Sequence, residues 1–182
     1  MKKWGKLEST YLYKTPFGNL RSDKCKLPNG NILENYYVNE FSDWVNAVVL
    51  TDDMKVVLVK QYRHAGDDFF LEIPAGVIEA DETYEEGILR EVREETGYIS
   101  NTIPIKLGEF YVNPSTQNNK VITYLIKNAV KEYNQDLDEN EDIEIVLMDF
   151  SEMGEAINNN KIRTQLFTAS AYYMVKDFLS TK

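Results

Sequence analysis

Apolar residues in this chain come in short runs divided by turn residues, and in only three places does the pattern change to a helical one. Residues 11–13, 23–27 and 32–38 read as strands, and Pro28-Asn29-Gly30 between the last two predicts a hairpin. A ribbon of this kind has too little core to stand alone, so it must pack on the rest of the chain or on a second copy. Residues 44–50 and 55–62 are β-branched, apolar runs joined by Thr51-Asp52-Asp53, a second hairpin of central strands. Residues 69–74, 103–111, 121–127 and 143–150 are the remaining strands, with a loop over 113–120. Thr83 followed by Glu86 is a capping box, opening a helix that turns Ile88, Leu89 and Val92 inward and stops at Gly97. Ser151 is expected to cap a short helix ending near Asn158. A terminal helix over 164–179 follows, with Leu166, Ala169, Tyr173 and Val175 among its apolar positions. Strands framed by these helices predict an α/β/α sandwich around a mixed sheet. An antiparallel β region precedes it, so the chain divides into 1–43 and 44–182.

Composition narrows the partners more than the fold. A chain of 182 residues with 43% hydrophobic content is long enough for one well-buried domain with an appendage. Its 30 acidic against 20 basic residues, net −10, argue against duplex nucleic acid or an anionic membrane as partner. Cys25, the single cysteine, excludes an intrachain disulfide and reads as a strand residue. No apolar leader and no run of membrane-spanning length is present, which makes a soluble cytoplasmic protein the expectation.

The acid itself is concentrated in residues 76–98, GVIEADETYEEGILREVREETGY. At ~100° per residue, Glu91, Glu94 and Glu95 share an arc of ~100° on one helix face, with Arg90 at its edge. Like charges so placed destabilise a bare helix. Converging carboxylates suit a hard divalent cation, while a solvated acidic face is the ordinary explanation of a charge run. Gly87 lies on the same face. Its missing side chain either leaves room for an ion or phosphate or is a tolerated flaw costing ~1 kcal/mol.

The spacing decides between a metal site and a solvated face. Gly76, five residues, Glu82, seven residues, Arg90-Glu91, an aliphatic Val92, one residue, Glu94-Glu95, one residue, Gly97 and Tyr98 resembles the Nudix box at every defined position. Outside the box, QYR at 61–63, LEIPAG at 71–76, Pro114 sixteen residues beyond the box and ENEDIEIV in the late loop are similar to the nucleoside-diphosphate-sugar branch of the Nudix hydrolases. The likeness is greatest to the ADP-ribose pyrophosphatases.

That resemblance implies Mg²⁺-dependent hydrolysis of a nucleotide sugar, ADP-ribose to AMP and ribose 5-phosphate, by a homodimer, with Mn²⁺ as a substitute ion. It implies metal ligation by Glu91, Glu95, the Ala75 carbonyl and Glu141, with Glu94 acting through water or a bridging ion. Arg90 is expected to hold the carboxylates by a bidentate contact, and Glu139 to be the general base. Glu139, Glu141 and Glu144 are close enough in sequence for these loop roles to exchange. Arg63 resembles a phosphate-contacting arginine, against a surface salt bridge as the alternative. Phe17 corresponds to an aromatic offered to the adenine, its own site's or a partner's, against a core or interface ring. Glu72 either orients the box or is a satisfied strand carboxylate. His64 is expected to be a loop residue, and Trp4 and Trp44 to serve packing. GDP-mannose is the competing substrate, and a non-catalytic nucleotide-sugar sensor the competing class.

Overall fold

The structure is a computed structural model that describes residues 1–181. It divides into two compact units, 1–43 with 110–121, and 44–109 with 122–182.

In the first unit, β1 (Gly5–Thr15), β2 (Gly18–Lys26) and β3 (Ile32–Glu40) form an antiparallel sheet in that order. The Asn-Gly turn falls between β2 and β3 as expected: Gly30 adopts φ 91° and Asn29 accepts from the Asn31 amide. The first strand is much longer than residues 11–13 suggested, because Ser9, Arg21, Asp23 and Glu40 link the three strands through polar side chains. Within these three strands only Asp23, Cys25 and Val38 are buried. Trp4 packs edge-on against Tyr36 at 5.9 Å but stays about half exposed.

The second unit is built on a mixed sheet of β4 (Trp44–Leu50), β5 (Lys55–Arg63), β6 (Asp68–Glu72), β7 (Ala75–Val77), β9 (Ile105–Tyr111), β10 (Lys120–Ile126) and β12 (Glu144–Asp149). Its order is β12-β5-β4-β10-β9, with β6 beside β5 and β7 beside β4. Two further strands, β8 (Tyr98–Ile99) and β11 (Val130–Lys131), pair with each other. Helix α1 (Tyr84–Thr96) covers one face, where Ile88 and Val92 meet Val45, Ala47 and Val49. On the other face, α2 (Phe150–Asn158) and α3 (Leu166–Ser180) place Met153, Ala171, Tyr172 and Val175 on Val48 and Leu50. Successive β4 side chains therefore go to opposite cores, which is why its sequence is a continuous apolar run. Trp44 packs against Phe167 at 6.4 Å, as a packing residue should.

Two local expectations change. Leu89 is 37% exposed on the outer side of α1, one position off the face of Ile88 and Val92. Asp149, not Ser151, occupies the α2 cap, and neither side chain closes a cap bond there. In α3 the buried face is Thr168, Ala171, Tyr172 and Val175. Leu166 and Tyr173 are exposed and Ala169 is half-buried, because the helix is rotated toward Phe150 and Ile73. Among the described residues, no helix is long and apolar enough to cross a membrane.

The stop at the end of α1 is strict. Gly97 has φ 71°, donates to the Arg93 carbonyl, and would bring a Cβ within 2.0 Å of the Tyr133 carbonyl oxygen. Gly97→Ala is therefore expected to lower stability by at least about 1–3 kcal/mol, read as a lower urea midpoint. An unchanged midpoint would show that α1 is terminated by something else.

Candidate active site

Helix α1 is held at its start by the predicted capping box: Thr83 accepts from the Glu86 amide, and Glu86 accepts from the Thr83 amide at 2.9 Å. Its acidic face sits against β7. The approach is so close that a Cβ on Gly76 would lie 2.0 Å from the Glu91 carboxyl carbon. Gly87, by contrast, makes room for the Glu82 carboxylate and Ile78, each 3.0 Å from an added Cβ, so the space it leaves is filled by protein.

Arg90 organises the carboxylates in a way only partly foreseen. Its bidentate contact is to Glu82, at 2.9 and 3.0 Å, with the Val77 carbonyl as a further acceptor. The remaining donor, Nη1, is shared by Glu91 at 2.9 Å and Glu94 at 3.0 Å. Glu94 also accepts from Arg93. Glu82 first, then Glu94 and Glu91, raise the Arg90 pKa against the opposing effect of its partial burial.

Glu95 is the buried member of the face, 4% exposed, and among the described residues the only hydrogen-bond partner of its carboxylate is the Ala75 amide at 3.1 Å. Burial, then the charge of Glu91, pushes its carboxyl well above the usual carboxylate range. Glu91 is raised as well, by burial first, with Arg90 opposing and Glu94 and Glu141 adding to the rise. Glu141 thus lies within electrostatic range of both, although it belongs to the loop before β12. Among the described residues, no three His, Cys, Asp or Glu side chains are already drawn into a metal cage. The donors are nevertheless all carboxylate oxygens, which is the chemistry of a hard divalent cation.

The late loop separates its three glutamates. Glu144 pairs with Lys60 at 3.2 Å across β12 and β5. Glu141 accepts from the Asp138 amide at 3.1 Å, closing a turn. Glu139 stands exposed at that turn, with no hydrogen bond or ion pair to the described residues. The loop is anchored to the end of α1 by the Asp136 amide on Glu94 and by Gln135, whose carboxamide bridges the Glu95 and Ile143 carbonyls at 2.7 and 3.0 Å. Gln135 was not foreseen, since nothing in its sequence surroundings distinguishes it from a loop polar residue.

Arg63 forms a buried-side ion pair with Glu72, Nη2 to Oε2 at 2.6 Å and Nε to Oε1 at 3.1 Å. Glu72 is 3% exposed and also accepts from Gln61 and Gln165, so it is a satisfied strand carboxylate. Arg63 still acts electrostatically on Glu95, lowering it, and its Nη1 has no partner among the described residues. His64 lies in an exposed turn of 3-10 helix, as expected of a loop residue. Phe17 belongs to the first unit, 91% exposed at the β1–β2 turn.

Set beside known proteins, residues 42–169 match the model of the NUDIX domain. The chain belongs to this family, the Nudix hydrolases. Residues 4–39 match a second model, the nucleoside diphosphate sugar hydrolase N-terminal domain. The Nudix chain is 33% identical over 129 residues to an ADP-ribose pyrophosphatase of Bacillus subtilis, covering 70% of this chain and 69% of that protein. It is 28% identical to a methanol dehydrogenase activator of Bacillus methanolicus, covering 85% of this chain and 83% of the relative. A solved structure titled an ADP compounds hydrolase superposes with TM-score 0.85 over 100% of this chain and 96% of its own, at 19% identity, which is a likeness of fold.

The raised carboxyls of this Nudix enzyme set a pH dependence. Folded Glu91 and Glu95 hold protons more tightly than in the unfolded chain, whose reference value is 4.5, so their contribution is lost as pH rises through and above that value. The cation-free protein is expected to melt at progressively lower temperature as pH rises in that window. Glu95→Gln, which keeps an acceptor for Ala75, should flatten the profile and raise its neutral end. Parallel wild-type and variant profiles would show that Glu95 is not charged under strain.

Proposed function

We propose that this Nudix hydrolase cleaves the diphosphate of a nucleoside diphosphate sugar, with ADP-ribose the favoured substrate and AMP and ribose 5-phosphate the products. The observation that carries the proposal is the pair Glu91 and Glu95, drawn together at the α1–β7 contact and facing the charge of Glu141, beside an arginine with a free donor edge. The match of residues 4–39 to a nucleoside diphosphate sugar hydrolase domain supports the substrate class.

Glu91, Glu95, Glu141 and the Ala75 carbonyl would hold Mg²⁺, with Mn²⁺ as substitute and Glu94 contributing from beside them. Once bound, the ion supplies charge neutralisation at the diphosphate and a more acidic water. The protein's own residues do the rest. Arg90 fixes Glu91 and Glu94 against mutual repulsion, and the free Nη1 of Arg63 is available to a phosphate oxygen. Glu139 takes the proton of the attacking water as the new P–O bond forms and the bridging P–O bond breaks. Its freedom from protein partners supports this assignment over Glu144, which is tied to Lys60, and Glu141, which closes a turn. A base on a loop also allows closure over substrate before reaction.

The homodimer is also a proposal. All eleven residues of β1, an edge strand, are exposed, Leu7, Tyr11, Leu12 and Tyr13 among them, so it offers apolar side chains and an open backbone edge to a second copy. Phe17 in the same unit presents a ring free to stack on a nucleobase.

With Mg²⁺ and a panel of ADP-ribose, GDP-mannose, ADP-glucose and diadenosine polyphosphates, ADP-ribose is expected to give the highest kcat/KM. Preference for GDP-mannose would move the substrate, and no turnover at all would overturn the enzymatic assignment. Glu139→Gln should lower kcat by about 10²–10⁴-fold, the usual contribution of a general base; a near-normal rate there with a large loss in Glu141→Gln or Glu144→Gln would relocate the base. Light scattering should give the mass of two chains, and a monomer mass would remove the dimer.

A further inference from the structure

The outer edge of β6 is not left open. The Leu71 amide of β6 donates to the Arg163 carbonyl at 2.8 Å, and just beyond the strand the Ile73 amide donates to the Thr168 hydroxyl in the first turn of α3 at 3.2 Å. Between them lies Glu72, and Gln165 donates its carboxamide to Glu72 Oε1 at 2.7 Å. Gln165 occupies the N-cap of α3 and makes no cap bond. A side chain at this position ordinarily satisfies its own helix; here its donor goes to a carboxylate on a neighbouring strand.

The geometry points to Gln165 as a positioning residue for Arg63, acting through Glu72; this rests on the proposed reaction. A carboxylate can rotate about its last bond and meet a guanidinium in several planes. Glu72 is prevented from doing so by Gln165 on Oε1 and Gln61 on Oε2 at 3.4 Å, while Arg63 closes the fork from Nε and Nη2. With the carboxylate plane fixed, the unbonded Nη1 of Arg63 has one direction, and the guanidinium charge stays within reach of Glu95. The segment carrying Gln165 is itself pinned by Arg163 to Asp68 at 2.6 Å. Behind Gln165 a 570 Å³ pocket opens, lined also by Phe70, Asn160, Thr164 and Leu166. Shortening Gln165 is expected to extend this pocket toward Glu72, which Gln165 contacts, and to admit water there.

Two measurements test this. In ¹⁵N spectra of the substrate-free protein, the Arg63 Nε–H, assigned by its loss in Arg63→Lys, is expected to exchange slowly with water. In Gln165→Ala and in the similarly long but donorless Gln165→Met it should exchange about tenfold faster, the equivalent of about 1.4 kcal/mol. Unchanged exchange in both variants overturns the proposal. In the nucleotide-sugar assay, Gln165→Met should raise KM about tenfold with kcat within about twofold, the pattern of lost uniform binding. In an Arg63→Ala background the same change should add nothing. An equal additional loss there would mark a general structural effect and overturn the positioning role. Should the wild type hydrolyse no nucleotide sugar, the proposed function falls, and the exchange measurement alone decides whether Gln165 orients Arg63.

Discussion

The structure of the site depends on one guanidinium placed among carboxylates that repel one another. Without Arg90, Glu82, Glu91 and Glu94 would face a shared space with only water to screen them. With it, Glu82 is clamped by two donors and the other two share a third. The clamp on Glu82 matters as much as the contacts to the helix, because Glu82 also accepts from the Glu79 amide and so ties the loop after β7 to α1. Arg90 is thereby a joint between loop and helix, and the acidic face is oriented from its own edge. What it leaves unbalanced is Glu95, which is buried and has one backbone partner. That imbalance is what the proposed divalent cation would offset.

The fold makes the imbalance possible by bringing backbone unusually near to acid. The short strand β7 pairs with β4 through Ala75 and Gly76, and α1 packs on the same face of the sheet through Ile88 and Val92. A side chain at position 76 would collide with Glu91. The apolar packing of α1 thus fixes how close the carboxylates come to β7, and the Ala75 amide receives Glu95 as a consequence. The late loop is then drawn in by Gln135 and Asp136, which satisfy carbonyls at the C-terminal end of α1. Helix-end hydrogen bonding, a matter of backbone satisfaction, brings Glu141 into range of Glu91 and Glu95.

Much of this was legible in the sequence, and the parts that were not share a cause. The capping box, the Gly97 stop, the hairpins and the central strands followed from local rules, because each is decided within a few residues. The carboxylate face followed from helical period and box spacing. Leu89 was misplaced because it lies one position from Ile88, and tertiary packing, not the sequence period, decides where the buried stripe of α1 ends. The partners of Glu72 and the role of Gln135 join residues far apart in the chain, and no local pattern carries such a pairing. Arg90 shows both sides: its place in the box is a sequence fact, yet its bidentate contact goes to Glu82 because Glu82 reaches it across the loop.

The central claim is that this strained acidic face is a divalent-cation site. Titrating the cation-free protein with Mn²⁺ and counting the free ion by electron paramagnetic resonance tests it without substrate. The account predicts saturable binding by the wild type, competed by Mg²⁺, and greatly weakened in Glu91→Gln and Glu95→Gln proteins that melt normally. Equal binding by the wild type and both variants would contradict it.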